Sequence, residues 1–230
     1  MEVLITENFV VKYDICLSDF VVKTVNHANK KKQQFCKIFN CSMSDVERLN
    51  ASFFVDRVEF VNYIKEISNG QTPPSWATGC FYNNEIQVLV NPTKSEEKMN
   101  TLAHELLHLF FEKNIYQKYN LERVSWLDES FAVYLDGDEH DFDCQLEETI
   151  QSLSKISKEF DMNILSDYNK IKTKEYDGYD MFNIIGKYIF ETKQENKFLK
   201  MLMIDRGKVV EFGQHILQEA INYFKERKHE

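Results

Sequence analysis

The sequence predicts an α+β protein in which a mixed N-terminal half with a small sheet precedes a mainly helical C-terminal half. Short β-branched segments alternate with helical patterns in the first hundred residues, whereas apolar residues recur at helical spacing almost throughout the chain after residue 115. Only 7 Gly and 3 Pro occur in 230 residues, which favours helices over an all-β sandwich. The 18 Phe and 11 Tyr supply bulky apolar material for a core.

Strands and helices are expected to alternate in the N-terminal half. The predicted elements are a strand over 8–17, a helix over 19–41, a strand over 51–55, a helix over 59–67 and a strand over 85–90. Asn69-Gly70 is a C-cap signal that ends the second helix, and Asn83-Asn84 indicates a turn before the last strand. The pattern therefore indicates a small sheet with helices between its strands.

The helix with the clearest boundaries follows this strand. Thr93 and Glu96 form a capping-box pattern, and apolar residues recur at helical spacing over 99–110. We expect a mixed α/β subdomain over residues 1–114, ending in this helix, and a helical subdomain over 115–230. Apolar stripes predict the helices of the second subdomain over 126–136, 144–160, 179–192, 195–204 and 209–227.

Charge and composition exclude several functional classes. The net charge of −9 provides no positive surface for DNA or RNA, and the basic run Lys30–Lys32 is interpreted as a solvated helix face. No apolar stretch approaches the roughly 20 residues that a membrane-spanning helix needs. The acidic stretch Asp136–Asp143 does not match an EF-hand loop and is expected to be a solvated loop.

The cysteines and the N-terminus predict the compartment. Five cysteines are an odd number without C-x-x-C spacing, so thiols in a reducing compartment explain them better than a disulfide framework. The start of the chain shows no secretory signal. We therefore expect a cytoplasmic protein, and the sequence leaves its oligomeric state open.

The capped helix contains His104-Glu105-Leu106-Leu107-His108. Histidines four positions apart lie about one turn apart on one face and can bind the same zinc ion. Glu105 lies beside them, where a carboxylate can take a proton from a water molecule that the metal activates. Two ordinary polar histidines are the alternative, but the other faces of the helix are apolar. Buried imidazoles and a carboxylate would be costly there without a metal or hydrogen bonds.

A catalytic zinc needs a third protein ligand, and Trp126-Leu127-Asp128-Glu129-Ser130-Phe131-Ala132 offers one. Phe111 and Asn114 stand where a metzincin has Gly and His, which excludes that arrangement. The chain combines the H-E-x-x-H motif with Glu129, which follows after 20 residues within a W-L-x-E-S-x-A segment. This combination resembles the gluzincin peptidases, the clan of thermolysin-like and aminopeptidase N-like enzymes. The resemblance implies a zincin-like fold and a Zn²⁺ ion bound by His104, His108 and Glu129. It also implies that Glu105 is the catalytic base and that the small residues after Glu129 allow close helix packing.

A third segment of the resemblance concerns the oxyanion that forms during peptide hydrolysis. In aminopeptidase N-like enzymes, a Tyr at the start of a later helix stabilises this oxyanion, and the stretch Tyr179–Tyr188 resembles that helix. The resemblance therefore implies Tyr179 as a second catalytic residue, with Tyr176 as the alternative. A plain core or surface role is the competing interpretation, because the chain contains 11 Tyr.

The resemblance also implies how a peptide would bind. In gluzincins an edge strand ahead of the active-site helix pairs with the extended substrate, a role that the strand 85–90 would take. Aminopeptidase N-like enzymes carry a Met-Glu pair that binds the free amine of the substrate, and the segment Gly79–Asn84 lacks it. An endopeptidase is therefore expected rather than an aminopeptidase. Thermolysin-like enzymes have an Asp where this chain has Val133, which leaves Asp128 or Asp136 to orient a histidine.

Two classes of function follow from these patterns. The leading hypothesis is a zinc metallopeptidase that hydrolyses peptide or protein substrates in a cleft between the two halves. The alternative is a catalytically inactive zinc-binding protein that acts in interaction or regulation. Glu105 favours the enzyme, because a structural zinc site needs no base and is usually closed by a fourth protein ligand.

Overall fold

The computed structural model describes residues 1–42, 48–91, 99–136, 141–156 and 160–227. The internal contacts divide the chain into two compact units, Met1–Phe110 and Phe111–Glu230. The first unit mixes strands and helices, and the described part of the second contains helices and connecting segments. The fold is therefore mixed α/β with a five-stranded sheet, as the sequence predicts at this coarse level. The capping-box pair Thr93 and Glu96 lies outside the described residues, and the subdomain boundary at residue 114 stays a prediction.

Five strands form the sheet of the first unit: β1 (Glu2–Ile5), β2 (Phe9–Tyr13), β3 (Leu49–Phe54), β4 (Gly79–Tyr82) and β5 (Glu85–Leu89). Their spatial order is β1-β2-β3-β5-β4. The outer pairs are antiparallel, and the two central pairs are parallel. Parallel neighbours need crossover connections, which here contain the helices α1 (Ser18–Phe39) and α2 (Arg57–Ile67).

Strand β4 corrects the expectation for the sheet edge. The predicted strand over 85–90 is present as β5, but it lies between β3 and β4 and is not an edge strand. Among the described strands, β4 pairs with β5 alone and forms the edge. Asn83 and Asn84, with φ values of 50° and 61°, make the hairpin turn between them. The residues Gly-Cys-Phe-Tyr of β4 do not alternate between apolar and polar, so the sequence pattern does not reveal this strand.

The first predicted strand is also shorter in the structure than in the sequence pattern. The side chain of Asp14 accepts a hydrogen bond from the backbone N–H of Cys16 at 3.0 Å, and a 3₁₀ turn begins over Ile15–Leu17. This capping interaction ends the extended segment four residues before the predicted boundary at residue 17. The preceding edge strand, β1, was not signalled by the pattern because its side chains are mostly exposed.

Helix α3 (Thr101–Phe111) carries the predicted metal ligands of the first unit. Aromatic contacts hold it in the core, including an edge-to-face pair between Phe35 of α1 and Phe110 with ring centroids 5.6 Å apart. Eight of its residues are buried, and the partly exposed ones are Thr101, His104 and His108. Their spacing of three and four positions places them in one line along the helix. The histidines therefore lie on the one face of α3 that the core does not cover.

The chain continues from α3 as helical backbone into the second unit. A π-helical turn over Glu112–Tyr116 leads into the short helix α4 (Gln117–Tyr119), which ends at Asn120 with φ 50°. A left-handed Asn at this position is a common helix end. The remaining helices are α5 (Ser125–Leu135), α6 (Phe142–Ser154), α7 (Gly178–Glu191), α8 (Glu195–Ile204), α9 (Arg206–Phe212) and α10 (Ile216–Arg227).

Helices α5 and α7 pack against each other at very short range. A Cβ atom on Gly186 would lie 2.3 Å from the carbonyl oxygen of Ser130, so only glycine permits this approach. Four residues further along each helix, Tyr134 stacks on Phe190 with ring centroids 4.9 Å apart. Phe190 also packs against Phe131 with ring centroids 5.0 Å apart, so the contacts of α7 involve residues 130–134 of α5. The expectation that Ser130 and Ala132 allow close helix packing stays a prediction, because this close approach depends on Gly186 and on the backbone carbonyl of Ser130.

The helix boundaries of the second unit agree with the sequence pattern in part. Helix α8 matches the predicted range 195–204, whereas α6 ends at Ser154 rather than at 160. The predicted helix over 209–227 is divided into the two helices α9 and α10. Between them, the carbonyl of Gly213 accepts a hydrogen bond from the backbone N–H of Met162 at 2.8 Å instead of one from within a continuous helix. None of the helices in the described ranges is long and apolar enough to cross a membrane.

Candidate metal centre

His104 and His108 form the first half of the candidate centre. Both side chains are partly exposed on an otherwise buried helix, and their ring centroids are 4.8 Å apart at an interplanar angle of 81°. This separation follows from their positions one helical turn apart. Two imidazoles at this distance can direct one nitrogen each to a common point, which is the arrangement that a shared metal ion needs.

Glu129 supplies the third candidate ligand. It lies in α5, where every residue from Trp126 to Val133 is buried, and its exposed fraction is 4 %. One ligand atom from each of His104, His108 and Glu129 lies within 4.8 Å of the others. Ligands of a tetrahedral zinc ion with bonds of 2.0–2.2 Å lie roughly 3.3–3.6 Å apart, which is closer than the 4.8 Å within which these atoms lie. Two imidazoles and one carboxylate are also a donor set that catalytic zinc uses, and these residues therefore fit the metal.

Glu105 is held against the edge strand of the sheet. Its exposed fraction is 8 %, and a Cβ atom on Gly79 of β4 would lie 2.3 Å from its Oε1 atom and 2.7 Å from Cγ2 of Thr101. The carboxylate therefore occupies the space that any side chain at position 79 would fill. The sequence motifs do not reveal this close approach, because an isolated glycine has no characteristic pattern.

Cys80 lies next to this carboxylate and outside the group of ligand atoms that His104, His108 and Glu129 form. Burial and the negative charge of Glu105 raise the pKa of its thiol to about 12. Both causes disfavour the thiolate, which is the nucleophilic form of cysteine. None of the five cysteines, all within the described ranges, is in a disulfide, as the odd cysteine count predicts.

Arg123 contacts the carboxylate of Glu129. Its Nη2 atom lies 2.7 Å from Oε1 of Glu129, and its Nε atom lies 2.6 Å from Oδ2 of Asp128. Burial acts to lower the pKa of Arg123, but the charges of Asp128 and Glu129 raise it well above its ordinary value. The guanidinium is therefore charged under all ordinary conditions.

Asp128, one of the two residues expected to orient a histidine, forms an ion pair with Arg123. Asp136, the other, follows the end of α5.

Tyr179 lies in the first turn of α7, where its backbone N–H donates to Oδ1 of Asp177 at 2.9 Å. Its ring is half-buried and packs edge-to-face against Phe182, with the ammonium of Lys172 5.2 Å from the ring centroid. Seven residues, or about two turns, separate Tyr179 from Gly186, so both lie on the same side of α7. Tyr176 precedes the helix and packs edge-to-face against Phe160.

Comparison with protein-family models, with curated proteins and with solved structures gave no match. The described residues form a candidate three-ligand metal centre, with a buried carboxylate on the same helix as two of the candidate ligands.

Proposed function

We propose that this protein is a zinc-dependent peptidase of the gluzincin class with a zincin-like fold. His104, His108 and Glu129 bind Zn²⁺, and Glu105 is the catalytic base. The observation that carries the proposal is the grouping of the three ligand atoms within 4.8 Å of one another, although Glu129 is distant from the histidines in sequence. Glu105 follows His104 directly, so the carboxylate required for hydrolysis is beside the ligands.

Zinc bound at this centre supplies Lewis-acid activation of the scissile carbonyl and lowers the pKa of water. The protein has to provide a proton acceptor and later a proton donor. Glu105 takes the proton from the attacking water and transfers it to the amine that leaves. Its low exposure limits competing hydration of the carboxylate, and its contact with Gly79 limits the orientations that it can adopt.

The edge strand β4 is the proposed binding strand for the substrate, in place of the strand over 85–90. An extended peptide can add to an exposed edge through backbone hydrogen bonds, which requires little side-chain specificity. Gly79 at the start of β4 contacts Glu105, so a peptide paired with β4 would pass close to the base. The residues of β4 include no carboxylate that could bind a free substrate amine. This composition supports an endopeptidase rather than an aminopeptidase.

Tyr179 is the proposed donor to the oxyanion. Asp177 caps the start of α7 by accepting a hydrogen bond from the backbone N–H of Tyr179, and α7 packs on the helix that carries Glu129. A hydrogen bond to the developing negative charge would lower the barrier without affecting substrate binding in the ground state. Tyr176 is the alternative and serves as the matched control.

The proposed substrates are peptides or proteins in the cytoplasm. An acidic chain with a net charge of −9 does not favour association with nucleic acid or with anionic membrane surfaces. The proposed metal chemistry also explains why Glu105 accompanies the ligands, which an inactive zinc-binding protein would not require.

Hydrolysis of a mixed library of quenched fluorescent peptides tests this proposal. The zinc-loaded protein should cleave internal bonds, and a chelator should abolish cleavage until zinc is restored. Glu105→Gln should lower kcat by at least about 10²-fold, the lower end of the effect of a general base. Tyr179→Phe should lower kcat with little change in KM, whereas Tyr176→Phe should not. Activity that survives both zinc removal and Glu105→Gln would contradict the proposal.

A further inference from the structure

The guanidinium of Arg123 contacts three polar groups at once. Nε pairs with Asp128 at 2.6 Å, Nη2 pairs with Glu129 at 2.7 Å, and Nη1 donates to Oη of Tyr168 at 2.9 Å. Each contact uses a different nitrogen of the planar group. The position of the guanidinium is therefore determined from three directions within the second unit, and the orientation of the Glu129 carboxylate is determined with it.

The contact between Arg123 and the two carboxylates matters energetically because Asp128 and Glu129 are buried. The side chains of Asp128 and Glu129 have exposed fractions of only 2 % and 5 %. Two adjacent carboxylates in such an environment repel each other, and removing either of them from water carries a large cost unless it is paired. The guanidinium of Arg123 is such a partner for both carboxylates.

We propose that Arg123 is a positioning residue for the metal ligand Glu129. By holding Oε1, the guanidinium fixes the plane of the carboxylate and directs the second oxygen towards the metal. Asp128 and Tyr168 in turn hold the guanidinium in place. This inference rests on the proposed metal centre, and it assigns Asp128 to the support of Arg123.

Positioning Glu129 in this way requires a rigid planar group with several N–H donors, which is the guanidinium of arginine. Lysine has a single rotatable ammonium and cannot bond to Asp128, Glu129 and Tyr168 in a fixed geometry. Arg123→Lys therefore keeps the charge but removes the constraint on the carboxylate. Arg206 provides a matched control because it has nearly the same side-chain exposure, 32 % against 31 %, and also pairs with a glutamate, Glu122, at 3.1 Å.

A second variant separates position from charge. The double substitution Arg123→Met with Asp128→Asn removes one positive and one negative charge, so the net charge near the metal is unchanged. It also avoids leaving Asp128 buried without its partner, which keeps the chain foldable. Removal of the positive charge alone would be expected to strengthen binding of a dication. A loss of metal affinity in the double variant therefore reports the loss of positioning.

The test measures the dissociation constant for Zn²⁺ by competition with a chromogenic chelator, together with the visible spectrum of the Co²⁺-loaded protein. Arg123→Lys and the double variant should bind Zn²⁺ about 10- to 100-fold more weakly, as expected for loss of an outer partner of a ligand. Their Co²⁺ spectra should change because the coordination geometry is altered, while circular dichroism confirms the fold. Arg206→Lys should resemble the wild type in both measurements.

The outcomes separate this inference from the proposed function. A wild type that binds Zn²⁺ tightly and an Arg123→Lys variant with the same affinity and the same Co²⁺ spectrum would overturn the role of Arg123 alone. A wild type that binds no Zn²⁺ would overturn the proposed metal centre and this inference with it. Weaker binding in both variants, but not in Arg206→Lys, supports the inference.

Discussion

At the scale of single residues, the candidate base is positioned by the backbone of a neighbouring strand. The Oε1 atom of Glu105 lies in the space where a side chain at Gly79 would begin. A carboxylate that packs on backbone has few alternative rotamers, which favours a fixed direction for proton transfer. The absence of a side chain at Gly79 thus has a direct consequence for the proposed chemistry.

Gly79→Ala tests this contact. The added methyl group would lie 2.3 Å from Oε1 of Glu105, so the carboxylate has to move. We expect a loss of peptidase activity of about 10²-fold, since misplacement of a catalytic group by about 1 Å can have that effect. Zinc content should remain that of the wild type, because Glu105 is not a ligand. The measurements are kcat and metal content on the same preparation.

Gly207→Ala is the control for this experiment. The nearest atom to a Cβ at this exposed position is Oδ1 of the Asp205 side chain at 3.3 Å, which has to move by only a few tenths of an ångström. This variant should retain full activity. Unchanged activity in Gly79→Ala would show that the position of Glu105 does not depend on the empty space at Gly79.

The residues of the site differ in how far their sequence patterns reveal them. H-E-x-x-H and the Glu129 segment have characteristic spacing and apolar neighbours, and the structure brings His104, His108 and Glu129 together. Arg123 and Gly79 have no such signal. One arginine among 28 basic residues is not distinguishable without knowledge of its partners, and the close approach of Glu105 to Gly79 depends on strand pairing.

At the scale of the elements, the packing of α7 on α5 determines the position of the helix that carries Glu129. Gly186 allows α7 to approach the backbone carbonyl of Ser130, the residue directly after Glu129. Phe190 extends this contact by packing against both Phe131 and Tyr134. A displacement of α7 would therefore be transmitted to the carboxylate of Glu129.

Gly186→Ala should reduce stability and metal affinity together. A Cβ would lie 2.3 Å from the Ser130 carbonyl oxygen and 2.7 Å from Cβ of Tyr134, so the helices have to separate. Overpacking of this kind costs about 1–3 kcal/mol of unfolding free energy, which exceeds the gain of roughly 0.5–1 kcal/mol from replacing a helical glycine. Urea unfolding and Zn²⁺ titration measure the two effects.

The same substitution at Gly207 in α9 again provides the comparison, because it should be neutral or stabilising. Equal stability and equal zinc affinity of Gly186→Ala and the wild type would contradict the importance of the α5–α7 contact for the ligand.

The elements that the sequence predicts best are those with long apolar periodicity or strong end signals. Helix α8 is an example, as is the turn at Asn83-Asn84. The patterns fail where a tertiary contact decides the outcome. The hydrogen bond from Met162 to Gly213 interrupts the last predicted helix, and pairing with β5 makes a strand of the short segment at Gly79.

At the scale of the whole molecule, the mixed α/β class follows from composition and periodicity. The apolar patterns distinguish a strand-containing first unit from a helical second unit. These patterns do not predict the order of the strands in the sheet, because that order depends on which strands each crossover connection joins. The zincin-like assignment remains part of the proposal, since it derives from the resemblance of a few short motifs.

The proposed centre also makes the metal a stabilising ligand of the folded chain. A metal that binds the native state and not the unfolded state raises the free energy of unfolding according to its affinity and concentration. Its ligands come from residues far apart in sequence, so the unfolded chain does not present the same site.

The most direct test is the zinc content of the purified protein by elemental analysis, with Glu129→Ala and Glu105→Gln as variants. Glu122→Gln is the control, because the side chain of Glu122 is 86 % exposed and pairs with Arg206. We predict one zinc ion per chain in the wild type, in Glu105→Gln and in Glu122→Gln, and none in Glu129→Ala. A wild type without zinc even after refilling, or a Glu129→Ala variant that retains it, would contradict the proposed three-ligand centre.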